Sequence, residues 1–183
     1  MSATRTPAVY VGTYRKYNQG SIQGKWMYFS QYSNADEFLK ACYELHYDES
    51  DPELMFQDHM DIPETVYSEC MGKDTINFLI QYSKLENSEQ EKIEDFVQYH
   101  CSTEGRDIED ILDMCLGKYE SERDYCIELM DFTMEMADEE VNGLHTELLR
   151  DALRFYIDYD AMARSLFVND FFIGKNGYVF TKQ

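Results

Sequence analysis

The side chains in this chain with the greatest capacity for chemistry are its carboxylates. Asp and Glu number 36 in 183 residues, against 16 Lys and Arg, for a net charge of −20. Asp158-Tyr159-Asp160 has the hard oxygen ligands that suit Mg²⁺ or Ca²⁺ in a hydrolase. Two acids one residue apart arise by chance in so acidic a chain, and Asp160 also suits the N-cap of a helix. The run Asp48–Asp58 lacks the glycine and spacing of an EF-hand loop. His100, Cys101 and Cys115 raise the question of a nucleophile or a zinc ligand. His100 and Cys101, however, share helical spacing with Ile93, Phe96 and Val97, which predicts core packing. His46, His59 and His145 have no partner at ligand spacing. Gly12, Gly20 and Gly24 form no phosphate loop, and the net charge opposes nucleotide binding. The five cysteines are odd in number and none has C-x-x-C spacing, so free thiols in a reducing cytosol are expected. No catalytic, cofactor-binding or metal-ligating residue is assigned.

What remains is a row. Asp124, Glu128, Asp131, Glu135 and Asp138 recur at i, i+4, i+7, i+11 and i+14, one face of a helix. Ile127, Met130, Met134, Ala137 and Val141 recur on a different face, so the helix can bury one stripe and display the other. Like charges at i, i+4 cost about 0.2–0.5 kcal/mol each, and only Arg123 lies within the segment to relieve them. Five charges over 14 residues span about 21 Å, roughly one per 5 Å. One DNA strand carries a charge about every 3.4 Å. Neighbouring acids Glu122, Glu139 and Glu140, with the row Asp107, Asp110 and Asp113, raise the density toward that of a phosphate backbone. The plainer reading is a solvated acidic helix face.

These carboxylates need elements to position them, and the pattern is α+β. Ala8–Tyr14, Lys25–Phe29 and Glu53–Met60 read as strands. Ser33 is the expected cap of a helix through Phe38, Leu39, Cys42 and Leu45. Ile76, Leu79 and Ile80 mark a second helix. Ser88 and Glu91 form the expected capping box of a third, through Ile93, Phe96 and Val97. Residues 107–116 and 121–141 read as further helices, and Asp160 as the cap of another. Phe171–Phe180 reads as a hairpin turning at Asn176-Gly177. The expected modules are an N-terminal α+β unit over 1–62, a helical middle over 63–106 and a C-terminal α+β unit over 107–183. Charge follows a similar division: residues 36–140 hold 31 acids and seven bases, while residues 1–35 hold four bases and no acid. Such a surface repels nucleic acid and anionic membranes and attracts basic proteins. No apolar run is long enough to span a bilayer, and Met1–Pro7 lacks the apolar stretch of a secretory signal. A cytoplasmic location is therefore expected.

Both ends of the chain resemble the ArdA antirestriction proteins of mobile genetic elements. The N-terminal likeness runs through Pro7-Ala8-Val9-Tyr10-Val11-Gly12-Thr13-Tyr14, Tyr17-Asn18, Gly20-Ser21 and Gly24-Lys25-Trp26. It continues through Glu37-Phe38, Ala41-Cys42, Glu44-Leu45-His46, Asp51-Pro52-Glu53 and Met55-Phe56-Gln57-Asp58 to Ile62-Pro63. The C-terminal likeness is carried by Tyr159-Asp160-Ala161, Ala163-Arg164, Leu166-Phe167 and Gly177-Tyr178-Val179-Phe180. Between 70 and 150 it is mainly the acidic, helical character that matches, and His59-Met60-Asp61 departs from a Trp-containing stretch of the family. The resemblance implies an elongated homodimer, joined through its C-terminal part, that mimics bent B-form DNA. It implies occupation of the DNA-binding channel of type I restriction-modification enzymes, through their specificity and methyltransferase subunits, without catalysis or cofactor. Two other classes stand beside it: a metal-dependent hydrolase using Asp158 and Asp160, and a generic acidic binder of basic proteins.

Overall fold

The computed structural model describes residues 5–140 and 154–182, with side chains on the last helical turn before residue 141 described only through Met136. Its contacts divide the chain into two units, one ending at Asp113 and one beginning at Met114. Residues 107–113 thus group with the first unit, and the finer division into modules 1–62, 63–106 and 107–183 is a proposal.

The first unit is built on β1 (Ala8–Thr13), which lies between β2 (Lys25–Tyr28) and β3 (Leu54–Met60), both antiparallel to it. Ala8, Val9 and Val11 are all fully buried, the pattern of a strand paired on both edges. Gly24 is required where the chain returns to β1, because a Cβ there would stand 2.3 Å from the Val11 carbonyl oxygen. A short helix, α1 (Tyr14–Asn18), follows β1 directly; sequence patterning did not anticipate it. α2 (Ala35–Leu45) covers the sheet. Phe38 stacks on Phe29 at 4.9 Å between ring centroids and lies 6.3 Å from Phe56, joining helix to sheet. Asn34, not Ser33, caps α2: its Oδ1 accepts from the Glu37 N–H at 3.0 Å. The Ser33 N–H donates instead to the Glu37 carboxylate at 2.8 Å, which fixes the start one residue later.

α3 (Lys73–Tyr82) and α4 (Asn87–His100) bury Ile76, Leu79, Ile80 and Tyr82 with Ile93, Phe96 and Val97. The buried Gln90 amide donates to the Tyr82 carbonyl at 3.1 Å, tying the two helices. The capping box of α4 is Glu86 with Glu89, two residues before the expected pair, and the Glu86 N–H donates to Glu89 at 3.0 Å. Cys101 does not pack in the core. It ends α4 in the left-handed region, φ 57°, and is exposed. α5 (Ile108–Asp113) buries Ile108 and Ile111.

The expected helix over 107–116 stops at Asp113, and the chain becomes a strand, β4 (Cys115–Lys118). It pairs with β6 (Tyr178–Thr181), which also pairs with β5 (Phe171–Ile173), so β6 is central. The β5–β6 hairpin turns where expected, with Gly177 at φ 88°. A Cβ at Gly177 would lie 2.6 Å from the Tyr119 carbonyl oxygen. α6 (Glu122–Glu140) and α7 (Tyr159–Asn169) pack beside this sheet. Their shared core is Tyr125, Cys126, Tyr159, Ala163 and Val179. Asp158, rather than Asp160, caps α7, accepting from the Ala161 N–H at 2.9 Å.

Candidate acidic interaction surface

α6 is held by a stripe centred on Tyr125 and Cys126, with the expected Ile127 and Met130 at its partly buried flank. Tyr125 and Cys126 are buried, with Ile127, Leu129 and Met130 packed partly against them. Tyr125 meets Tyr119 at 5.1 Å, Phe171 at 5.0 Å and Phe167 at 5.8 Å between centroids. An aromatic ring buries more apolar area than a methionine, so Tyr125 sets the rotation of the helix and Met134 is only partly covered. The expected stripe residue Val141 lies outside the described residues, as does the Ala137 side chain. Burial pushes the Tyr125 hydroxyl up to about 12 and raises the Cys126 thiol as well, so neither carries charge near neutrality.

The rest of α6 carries the carboxylates, several of them already engaged. The Ser121 hydroxyl donates to Asp124 Oδ2 at 2.6 Å, and the Asp124 N–H donates back to Ser121 Oγ at 3.1 Å. Tyr119 donates its hydroxyl to Glu128 Oε1 at 3.1 Å, and burial followed by that bond raises the Tyr119 pKa. Asp131 Oδ1 accepts from Arg154 Nε at 2.9 Å and Nη2 at 2.7 Å. Glu135 is exposed and Glu122 is half-buried. Asp138, Glu139 and Glu140 lie on the last turn of α6, and their side chains fall outside the described residues. Sequence spacing located the row but not Arg154, which relieves it from 23 residues away. Asp107, Asp110 and Asp113 are exposed on and beside α5, in the first unit, whereas the α6 row belongs to the second.

The first unit carries a further set that helical spacing did not find. Asp58, Asp61, Glu64 and Glu69 are exposed on and after β3. Tyr67 stands among Asp58, Glu64 and Glu69, and Tyr14 beside Glu69 and Glu53. Burial first, and these carboxylates next, raise both hydroxyls above their ordinary values. The Tyr67 hydroxyl donates to the Phe56 carbonyl at 2.6 Å, and Asp61 accepts from the Thr6 N–H at 2.8 Å. The excess of acids over 36–62 was the available signal, but strand and loop residues have no 3.6-residue period to group them.

Other chemistry weighed in the sequence is occupied structurally. Asp158 caps α7, and Asp160 faces Arg123 at 3.6 Å. Among the described residues no three His, Cys, Asp or Glu side chains are grouped as metal ligands. All five cysteines are free thiols. Inside the first unit, the largely buried Lys16 ammonium donates to His46 Nδ1 at 3.0 Å and Asp48 Oδ1 at 2.8 Å, with Glu49 at 3.6 Å. The Thr13 hydroxyl donates to Glu49 at 2.7 Å, so the cluster ties α1 to the segment after α2. Among the described residues no helix is long and apolar enough to cross a membrane.

α6 carries carboxylates on the exposed side of a helix sealed to its core by aromatic packing, and the first unit carries exposed carboxylates of its own. Among curated proteins nothing matches the chain. A family profile described as antirestriction protein (ArdA) matches residues 9–180, nearly the full length, and the chain therefore belongs to the ArdA antirestriction family.

Proposed function

We propose that the protein is a DNA mimic that occupies the DNA-binding channel of a type I restriction-modification enzyme. In doing so it protects incoming mobile DNA. It engages the specificity and methyltransferase subunits through Asp107, Asp110, Asp113, Glu122, Asp124, Glu128, Asp131, Glu135, Asp138, Glu139 and Glu140. It performs no catalysis and needs no cofactor. The observation that carries this reading is the α6 row, in which three carboxylates are fixed by Ser121, Tyr119 and Arg154. Ordered charges lose less conformational entropy on binding than free side chains do, and Lys and Arg that neutralise phosphates can also pair with carboxylates.

The active form is proposed to be a cytoplasmic homodimer joined through the second unit. There Phe132 and Met136 on α6 are more than half exposed, and Phe155 and Tyr156 follow the Arg154 that binds Asp131. Exposed apolar side chains of this size mark association surfaces. Sedimentation that shows only monomer at working concentration would overturn the dimer. The central experiment is competition between the purified protein and duplex DNA for a type I methyltransferase core. Displacement of DNA at near-stoichiometric protein is expected. DNA that stays bound at saturating protein would overturn the mimicry.

A further inference from the structure

A groove of about 590 Å³ lies in the first unit between α3 and the loop 101–107, within the ~300–1,000 Å³ typical of ligand sites. The loop is locked in shape. Cys101, Glu104 and Gly105 all have positive φ. Ser102 Oγ accepts from the Glu104 N–H at 3.1 Å, Thr103 Oγ1 from the Gly105 N–H at 3.3 Å, and the Thr103 carbonyl from the Arg106 N–H at 3.0 Å. This turn places Arg106, half-buried, on the wall of the groove. Among the described residues no carboxylate lies within ion-pair distance of its guanidinium, whereas Arg5, Arg123 and Arg154 reach Glu94, Asp160 and Asp131. Acids outnumber bases more than two to one in this chain, so a half-buried guanidinium with no carboxylate partner among the described residues stands out. Arg15 and Arg164 likewise have no carboxylate within reach among the described residues, but they are exposed.

We propose that this groove receives a carboxylate-bearing peptide segment of the partner protein, gripped by Arg106. The guanidinium fork matches a carboxylate through two parallel hydrogen bonds. Asp74 and Asp107 share the groove. With the net charge of −20, they disfavour a phosphate dianion far more than a single carboxylate. Thr75 and Gln81 offer hydroxyl and amide groups to a peptide backbone, and Phe78 supplies an apolar wall. The proposal rests on the reading that the chain binds a restriction enzyme. It adds a contact that DNA, which carries no cation, could never make. Arg106 would thereby help the protein discriminate its target from an arbitrary polycation.

The test has two arms on the full-length protein. In the first, acetyl-Gly-Glu-Gly-amide, acetyl-Gly-Gln-Gly-amide and inorganic phosphate are titrated while the Arg106 side-chain N–H and the amides of 102–107 are followed by NMR. Shifts that saturate with the Glu peptide alone are expected. No saturable shift, equal shifts with the Gln peptide, or tighter binding of phosphate would overturn the proposal. The second arm compares Arg106→Gln and Arg106→Lys in restriction protection and in binding to poly-lysine. Loss of a charged hydrogen-bonded contact predicts protection weakened about tenfold or more by Arg106→Gln, with poly-lysine binding unchanged and only partial recovery in Arg106→Lys. Parental protection by a folded Arg106→Gln would overturn it. A parent protein that fails to protect DNA at all would overturn the proposed function, while the peptide arm still reports on the groove.

Discussion

At the scale of single residues, the polar cluster around Lys16 should make stability depend on pH. His46 Nδ1 accepts from the Lys16 ammonium, so the folded ring is neutral. Burial first, and Lys16 next, lower the His46 pKa below its ordinary 6.5. The unfolded chain therefore takes up a proton where the folded one does not. This contribution to stability is fully present above about 6.5 and is lost as pH falls through the folded value. Asp48, also held low by its bond to Lys16, loses its contribution only at lower pH, in and below the ordinary carboxylate range. Thermal melts between about pH 7.5 and 5 should show the parent losing stability, and His46→Gln losing less. Identical pH slopes for the two would refute the assignment.

At the scale of elements, caps and stripes separate stability from binding. Asn34→Ala removes the cap of α2 and should cost about 1 kcal/mol in a denaturant melt. Ser33→Ala should cost less, since its N–H rather than its hydroxyl is bonded; equal costs would contradict the cap. In α6, reversing Asp124, Glu128, Asp131, Glu135 and Asp138 together takes the net charge from −20 to −10 and should weaken restriction protection strongly. The spacing alone predicts little change in stability. The structure restricts that expectation to Glu135, because Asp124 exchanges bonds with Ser121, Glu128 accepts from the Tyr119 hydroxyl and a lysine at 131 would face Arg154. Glu135→Lys should weaken protection modestly, with stability within about 1 kcal/mol of the parent. Asp131→Lys should lower the melting temperature as well. A folded five-site variant that protects like the parent would mean that this stripe faces away from the enzyme or is covered in the dimer.

At the scale of the whole molecule, the carboxylates sit in two separate units, and the proposed charge mimicry is a sum over both. Inhibition should therefore fall steadily as ionic strength rises, since exposed charges are screened over about 10 Å at 0.1 M. The measurement is the inhibition constant against salt at constant pH, and a flat dependence would favour a localised, largely apolar contact. The proposed Arg106 groove introduces one contact of opposite sign, so its removal should leave the salt slope nearly unaltered while lowering inhibition at every salt concentration.

Local sequence determined the outline of the protein. Strands at 8–13, 25–28 and 54–60, the helices behind Phe38 and Phe96 and the hairpin at Gly177 were legible because side-chain period and positive-φ turns are short-range properties. The helical spacing of the α6 carboxylates was legible for the same reason. Other features depended on contacts between distant residues. The chain after Asp113 turns into β4 because β6, some sixty residues later, offers it a free edge. α6 takes its rotation from Tyr125 packing against Phe167 and Phe171, and its charge is relieved by Arg154. The acids of β3 and the loop after it gather around Tyr67 and Tyr14 only once the sheet has formed, and among the described residues the fold brings no carboxylate within ion-pair reach of Arg106. A period in the sequence reports which residues share a face, but packing energy between elements decides which face is buried and what the other one meets.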